Sequence, residues 1–534
     1  MHMRLLELRS IPRSFAAAAA LVAGCWALGA PGSSGLAAAE VVRIAPSWEQ
    51  AAITSHTVLS IDVCVYPHIR RGHPLHAKLW KAFGDFAGDY QRILFWYAYP
   101  RLTVAELHPP RGGRTSWDFT LLDPIVADFM KSAAGRPVVM DMGTVPNWIY
   151  TSTPQPIPVN PDELVWHYYA EKPVSALTRA DPSWRHRQFA TRLSDEQVGL
   201  IAKYQARLVG WYTKGGFKDE YGVWHSSAHT YKIDYWEVLS EPDLEWGLSP
   251  QDYVRVYDAT VQAVRSVNPA IKFVGLSLAS PRRPQYFFYF LDPAHHQHGI
   301  PLDMISLHTY SYADFDENDP QKYEHAVFRQ VDAYAGLLAY VRAIRDRFSP
   351  HTRISVNEVG DFLPGSFDPA LPAPIAKPYW ALMAAVSAYH FALMVDTGID
   401  IVNEAELIDY PGQSPSTTLV DWDTGRPNAR YWAMKLLRDS FLPGDRVVAT
   451  ASHDEGGPVA NKEFIGRDGR RRVLLVNKRD RPMTVEIEGA AHGSIRVVDQ
   501  ATRGMPEAVR LKTGTVTLAG FAVAVVTLKS KESI

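Results

Sequence analysis

Two glutamates stand where short apolar runs end, at positions where an unpaired carboxyl group is costly to bury. Glu241 follows residues 235–240 (YWEVLS), and Glu358 follows residues 354–357 (ISVN). Each carboxyl group there needs a partner or a chemical role. Two such groups on either side of one bond can act as a general acid/base and as a nucleophile. A separation of about 5 to 5.5 Å between them suits cleavage of a glycosidic bond with retention of configuration.

The two glutamates are assigned different roles in this chemistry. An ionised Glu358 would attack the anomeric carbon, while Glu241 would first protonate the leaving oxygen and then activate water. Glu404 ends another apolar run and is held in reserve as the catalytic acid if Glu358 is not the nucleophile. The alternative is that Glu241 and Glu358 are structural acids held in salt bridges.

Eight short β-type runs alternate with helical patterns along the chain. The predicted strands cover residues 58–65, 92–97, 137–142, 233–239, 272–278, 304–308, 353–357 and 400–404. Helical patterns lie between them, including residues 74–90, 119–134, 195–212, 250–267, 326–348 and 378–397. Alternation on this scale predicts an α/β fold, a parallel (β/α)₈ TIM barrel, with a doubly wound open sheet as the alternative.

The predicted barrel explains how distant residues could meet, because working side chains of this fold stand at the carboxyl ends of its strands. Glu241 ends the fourth strand and Glu358 ends the seventh. A dinucleotide site is not expected, because residues 65–68 (VYPH) follow the first strand in place of a glycine-rich loop. Between the third and fourth strands, residues 148–231 are rich in Trp, Tyr, His and Pro and are expected to shape a substrate cleft.

Several short motifs resemble the retaining clan A of (β/α)₈ glycoside hydrolases. Residues 236–243 (WEVLSEPD) are similar to its acid/base segment, residues 355–360 (SVNEVG) to its nucleophile segment, and residues 308–310 to its His-x-Tyr element. Residues 116–149 are similar in pattern to family 39, which includes β-xylosidases and α-L-iduronidases. The resemblance implies a glycosidase with Glu241 as acid/base and Glu358 as nucleophile.

One residue departs from the clan's pattern. Ser240 stands where the clan has Asn, whose amide bonds the 2-hydroxyl of the sugar. A hydroxyl is shorter and has one donor where the amide has two, so this contact would be weakened, water-bridged or altered for another sugar. Loss of catalysis is the alternative, which would leave a carbohydrate-binding barrel of an envelope polysaccharide system. A transglycosylase with the same carboxylates is a third possibility.

Other side chains near the predicted strand ends could orient the glutamates or bind sugar. The resemblance implies that His308 and Tyr310 border the nucleophile, and that Arg101 steadies Glu358 as an arginine of the clan does. Further candidates for contact with substrate are Tyr99, Asn357, Glu404 and the loop tryptophans Trp148, Trp246 and Trp422, whose rings suit stacking on sugars.

Composition and chain length divide the molecule and limit its partners. A chain of 534 residues is longer than one hydrophobic core usually accommodates. Alternating apolar and polar runs beyond residue 442 predict an antiparallel β-sandwich over residues 442–534, after a barrel over residues 40–441. Residues 40–57 could join the sandwich. A formal net charge of −2 favours a neutral carbohydrate over nucleic acid. The sequence does not indicate an oligomeric state.

The amino-terminal residues read as a targeting segment. Residues 1–39 carry early arginines, an apolar run over 15–28 and Ala37-Ala38-Ala39, which predicts a secretory signal and export to the periplasm or the medium. In the alternative interpretation the protein is a lipoprotein, and Cys25 is its lipidation site. No later run of about 18 apolar residues predicts a transmembrane segment. No cofactor is expected, and the histidines at 295, 296 and 298 lack the carboxylate pattern of a metal site.

Overall fold

The computed structural model describes residues 41–151, 154, 156–165, 192–312, 320–363, 375, 377–448 and 457–529. The predicted signal at residues 1–39, the alternative lipidation site Cys25 and part of the insertion at 148–231 lie outside these residues.

The described strands and helices alternate along the first four-fifths of the chain. The strands are β1 (Val41–Ile44), β2 (Ala51–Thr54), β3 (Val58–Cys64), β4 (Gln91–Leu94), β5 (Val138–Asp141), β6 (Gly216–Lys218), β7 (Trp224–Ser226), β8 (Tyr235–Glu237), β9 (Lys272–Leu278), β10 (Met304–Tyr312), β11 (Arg353–Phe362), β12 (Ile401–Glu404), β13 (Arg446–Val448), β14 (Val459–Ile465), β15 (Arg471–Asn477), β16 (Met483–Ile487), β17 (Ser494–Val498), β18 (Val509–Arg510), β19 (Thr515–Leu518) and β20 (Val523–Thr527). The α-helices are α1 (His76–Phe86), α2 (Pro100–Thr103), α3 (Leu122–Ala133), α4 (Asp195–Lys214), α5 (Pro250–Val267), α6 (Pro284–Leu291), α7 (Pro320–Phe348), α8 (Pro378–Thr397) and α9 (Ala429–Ser440).

Eight parallel strands close a barrel, which confirms the predicted fold. Their order around the barrel is β3-β4-β5-β8-β9-β10-β11-β12, so each barrel strand pairs with the next barrel strand along the chain, and the last pairs with the first. The predicted fourth and seventh strands are therefore β8 and β11. The helices predicted over residues 250–267 and 378–397 are α5 and α8, and their bounds are as predicted. Ser249 caps α5 by accepting a hydrogen bond from the Asp252 amide, and α8 ends at Gly398, whose backbone is in the left-handed region.

The interior of the barrel is layered. An apolar layer contains Val58, Tyr90, Val139, Tyr235, Val274, Met304 and Ile401. Since side chains two residues apart on a strand share a face, the next inward residues include Ser60, Arg92, Asp141, Glu237, Ser306 and Asn403. These six side chains are almost fully buried. A polar layer rich in charge therefore lies between the apolar layer and the strand ends.

Strands β6 and β7 form a separate two-stranded sheet, and the other strands outside the barrel form the β-sandwich. One sheet has the order β18-β17-β20-β15-β14-β13-β2 and the other the order β1-β16-β19. The two strands that precede the barrel thus pair with the carboxyl-terminal sheets, β1 with β16 and β2 with β13. Residues 515–527 form two strands, β19 and β20, because the chain turns at residues 519–522.

One helix of the barrel layer, α8, has the length and hydropathy of a membrane span. It is 20 residues long, and 89% of its most apolar window is buried inside the protein. It packs between α7 and α9 and against β15 and β20. Its apolar character is explained by burial on all sides, between the barrel and the sandwich.

Candidate active site

Glu241 and Glu358 lie at the same end of the barrel. The backbone bends sharply where β8 ends, since Leu239 and Glu241 have φ values of 62° and 44°, in the left-handed region that non-glycine residues seldom occupy. The Glu241 amide donates to the Ser277 carbonyl oxygen at 3.0 Å, which ties the bend to the end of β9. Residues held in this region are often found at functional sites.

A single imidazole connects the two glutamates. His308 Nδ1 lies 3.0 Å from Glu241 Oε1 and 3.2 Å from Glu358 Oε2. Because both oxygens contact one nitrogen, the distance between them is at most the sum of these two distances, about 6 Å. The separation of about 5 to 5.5 Å that the retaining mechanism requires lies below this upper limit. Burial opposes charge on His308, but Glu358 and Glu241 together raise its pKa.

Tyr310 makes the other contact with Glu358 that the sequence predicted. Its hydroxyl donates to Glu358 Oε2 at 2.8 Å, and the side chain is 8% exposed. Gly360 makes this approach possible, because a Cβ atom at that position would lie 2.8 Å from the Tyr310 ring. The structure thus brings together four residues that the sequence predicted as a site: Glu241, His308, Tyr310 and Glu358.

The arginine that contacts Glu358 is Arg92, and the expectation for Arg101 was wrong. Arg101 lies on α2, and its Nη2 donates to Asp118 at 2.7 Å. Arg92 lies on β4 inside the polar layer, and its Nη1 is 3.2 Å from Glu358 Oε1. Tyr99, predicted beside Arg101, is buried with its hydroxyl against that of Tyr410.

The Arg92 guanidinium neutralises more than one carboxylate. Besides Glu358 it contacts Asp62 at 2.8 Å, Asp141 at 2.9 Å and Glu237 at 2.7 Å. Burial and the crowding of acids raise the pKa of Asp62 to about 7 and that of Asp141 well above its usual range, although Arg92 opposes both shifts. One cation shared by four acids leaves protons on some of them at neutral pH.

Asn357 does not face a substrate, contrary to expectation. Its Nδ2 donates to Glu237 Oε1 at 3.0 Å and to Ser277 Oγ at 2.9 Å, and the side chain is 1% exposed. Neighbouring residues of a regular strand face opposite sides, yet both Asn357 and Glu358 face inward. The pairing of β11 with β12 shifts register between Val356 and Val359, and this bulge re-aims the pair.

Glu404 faces away from the barrel interior, so it cannot serve as the reserve acid. Its Oε2 accepts from Arg430 Nη2 at 2.6 Å and from Ser387 Oγ at 2.9 Å, and both charged side chains are fully buried. Strand parity explains the error. Ile401 lies in the inner apolar layer, so Asn403 faces inward and Glu404 faces the helices.

The three candidate tryptophans have different surroundings. Trp246 is 2% exposed, and its ring packs 5.0 Å from that of Tyr150, so it is a core residue rather than an open stacking platform. Trp148 and Trp422 are half-buried against the core. Their contact with sugar stays a prediction.

Ser240 is 4% exposed and lies against β5. A Cβ atom on Gly143 would stand 3.1 Å from the Ser240 amide nitrogen, so a glycine is needed for the close approach of these strand ends. The effect of Ser240 on the sugar contact stays a prediction.

Three loop carboxylates near Glu241 and Glu358 were also not predicted from the sequence. Glu245 accepts from Trp96 Nε1 at 2.6 Å, and burial followed by the Glu241 charge raises its pKa well above the usual range. Glu406 and Asp409 follow β12, and burial raises the pKa of Asp409 to about 8. All three lie in loops, where strand periodicity gives no signal. Arg92 had a signal, because a buried charge at an inward position of a strand requires partners.

Three carboxylates of this site lie close together, but a buried cation already pairs with two of them. One oxygen from each of Asp62, Glu358 and Glu406 lies within 4.8 Å of the other two, but Arg92 already supplies positive charge to Asp62 and Glu358. The histidine cluster is also engaged elsewhere. His296 contacts Asp258 at 2.6 Å, and His295 stacks on Tyr289.

Comparisons with known proteins support the architecture. Residues 464–526 match the model of the D-apionate lactonase carboxyl-terminal immunoglobulin-like domain. One similar solved structure is a GH51 arabinofuranosidase from Xanthomonas axonopodis pv. citri, with 12% identity and a TM-score of 0.56 over 92% of this chain and 99% of that one. Another is CelM2, a bifunctional glucanase-xylanase from a metagenome library, with 13% identity and a TM-score of 0.57 over 92% of this chain and 99% of that one. A GH30 endoxylanase from Clostridium papyrosolvens C71 is similar at 12% identity and a TM-score of 0.51, over 92% of this chain and 100% of that one. No curated protein matches the chain. These likenesses show a fold shared with glycoside hydrolases: a (β/α)₈ barrel with a β-sandwich.

Proposed function

We propose that this protein is a retaining glycoside hydrolase that cleaves a polysaccharide or oligosaccharide. The observation that carries the proposal is the contact of both glutamate carboxylates with one His308 nitrogen, which limits their separation to about 6 Å. The named activities of the similar structures, which include a xylanase and an arabinofuranosidase, are consistent with it. The sequence resemblance to clan A supports the same assignment, with family 39 as the proposed family.

The geometry suits the two glutamates to different steps. Arg92 and Tyr310 contact the two oxygens of Glu358 and stabilise its negative charge, so it is prepared as the nucleophile that forms a bond to the anomeric carbon. Glu241, whose side chain is 19% exposed, donates a proton to the leaving oxygen as the glycosidic bond breaks. It then takes a proton from the water that cleaves the glycosyl-enzyme ester, which regenerates both residues.

The same proposal includes export. The predicted signal at residues 1–39 would direct the protein to the periplasm or the medium, where polysaccharides are accessible.

Replacing each glutamate separately tests the roles. Glu358→Gln should reduce hydrolysis of aryl glycosides by at least about 10³-fold, since the amide cannot form the covalent intermediate. Glu241→Gln should be rescued by azide, which attacks the intermediate without a general base. Following product anomers by NMR should show retention of configuration.

Glu488→Gln provides the matched control. Glu488 is exposed in the sandwich, so this substitution removes the same charge far from the barrel. All variants should melt like the wild type within a few degrees. Wild-type turnover by Glu358→Gln, or inversion of the product anomer, would refute the mechanism.

A further inference from the structure

A third glutamate, Glu406, is fixed beside the proposed nucleophile. Its backbone is held on both sides, since its amide donates to Thr417 at 3.1 Å and its carbonyl accepts from Leu419 at 2.9 Å. The Cys64 amide donates to Glu406 Oε2 at 3.0 Å. The side chain therefore has one defined orientation before any ligand binds.

That orientation brings Glu406 to the carboxylate that would attack the sugar. One of its oxygens lies within 4.8 Å of an oxygen of Glu358 and of one of Asp62. A sugar whose anomeric carbon contacts Glu358 would extend over several ångströms and would reach a group this close. Glu404, two residues earlier, faces the helices instead, so the placement is specific to Glu406.

Glu406 also retains capacity for a ligand. It is 5% exposed, and within the described part of the chain its Oε1 makes no hydrogen bond, while Oε2 has the Cys64 amide. Arg92, the buried cation whose charge acts on Glu406, is already shared by Asp62, Asp141, Glu237 and Glu358. A polar group so placed is costly to desolvate unless a ligand completes its hydrogen bonds.

We propose that Glu406 is a specificity-determining residue that hydrogen-bonds a ring hydroxyl of the sugar attacked by Glu358. The inference rests on the proposed function and deepens it, because it defines the substrate as a glycoside with a free hydroxyl at that ring position. Both protonation states of Glu406 can make the bond, as acceptor or as donor. Burial and the neighbouring acids Asp62, Asp409 and Glu358 raise its pKa well above the usual range, against the effect of Arg92.

Deoxy substrates test the contact directly. The parent is the 4-nitrophenyl β-D-xyloside, β-D-glucoside or α-L-arabinofuranoside that the wild type hydrolyses fastest, and kcat/KM is measured for its monodeoxy derivatives. At one ring position, removal of the hydroxyl should cost the wild type about 10- to 100-fold, and this loss should disappear in Glu406→Ala. At the other positions the losses in the two enzymes should be equal.

Two further variants complete the experiment. Glu406→Gln keeps an acceptor for Cys64 and should fold even if the alanine variant does not; it should show a reduced loss at the same position. Glu404→Gln is the matched control and should keep the wild-type pattern at every position. Equal losses at every position in wild type and both Glu406 variants would overturn the inference while leaving the hydrolase assignment intact. No turnover of any parent glycoside by the wild type would overturn both.

Discussion

At the scale of single residues, the site depends on how buried charge is balanced. Arg92 is 1% exposed and contacts four carboxylates, all nearly as buried. Removing a buried ion-pair partner leaves an uncompensated charge, which typically costs about 3 to 5 kcal/mol. Arg92 and the four carboxylates therefore depend on one another for charge balance.

The protons held by this layer should make stability depend on pH. The pKa of Asp62 is about 7 in the folded protein against an ordinary 3.8, so folding takes up a proton. Its contribution to stability is complete below about pH 4 and is lost as the pH rises towards 7, at about 1.4 kcal/mol per unit. Asp62→Asn removes this titration. Urea unfolding should show the wild type losing stability relative to Asp62→Asn over that range; a difference independent of pH would contradict the assignment.

At the scale of elements, strand parity and bulges decide which side chains enter the site. Regular alternation places Arg92 inside the barrel and Glu404 outside it. Irregular pairing within β10 and β11 changes the rule, because the register shifts between Leu307 and His308 and between Val356 and Val359. A bulge within a strand can thus present two successive residues to one face, as Asn357 and Glu358 show.

The outward position of Glu404 predicts a stability defect without a catalytic one. Glu404→Gln removes the carboxylate that pairs with the fully buried Arg430 at 2.6 Å, so the free energy of unfolding should fall by about 3 to 5 kcal/mol. The kcat/KM per folded molecule should stay near that of the wild type. Denaturant unfolding and active-site titration give the two quantities; a stable but inactive variant would return Glu404 to the catalytic candidates.

At the scale of the whole molecule, the core of the barrel extends into the sandwich, which also has a core of its own. Phe464 of β14 stacks on Phe441 after α9 at 4.1 Å, and the barrel core continues into Leu474, Val476 and Val523 of the sandwich. Lys462 of the sandwich pairs with Asp396 of α8 at 2.5 Å. The sandwich covers helices that would otherwise expose apolar surface, so the two parts should unfold together.

A core substitution in the sandwich should therefore destabilise the barrel. Phe464→Ala should cost about 3 to 5 kcal/mol, as is usual for a buried phenylalanine. Calorimetry should show one transition at a lower temperature, with catalytic activity lost in the same transition. Phe288→Ala is the control, since that ring is 37% exposed on α6. Activity that persists after the sandwich has melted would disprove the cooperative unit.

The sequence by itself determined the alternation of strands and helices, the barrel and the sandwich, because hydrophobic periodicity and turn residues are local properties. It also indicated Glu241, His308, Tyr310 and Glu358, since motifs at strand ends are local as well. Only the tertiary structure selected Arg92 over Arg101, turned Glu404 outward and placed Glu406 beside Glu358. These outcomes depend on strand register, on bulges and on loops that meet across the barrel, and such contacts are made between residues far apart in the chain.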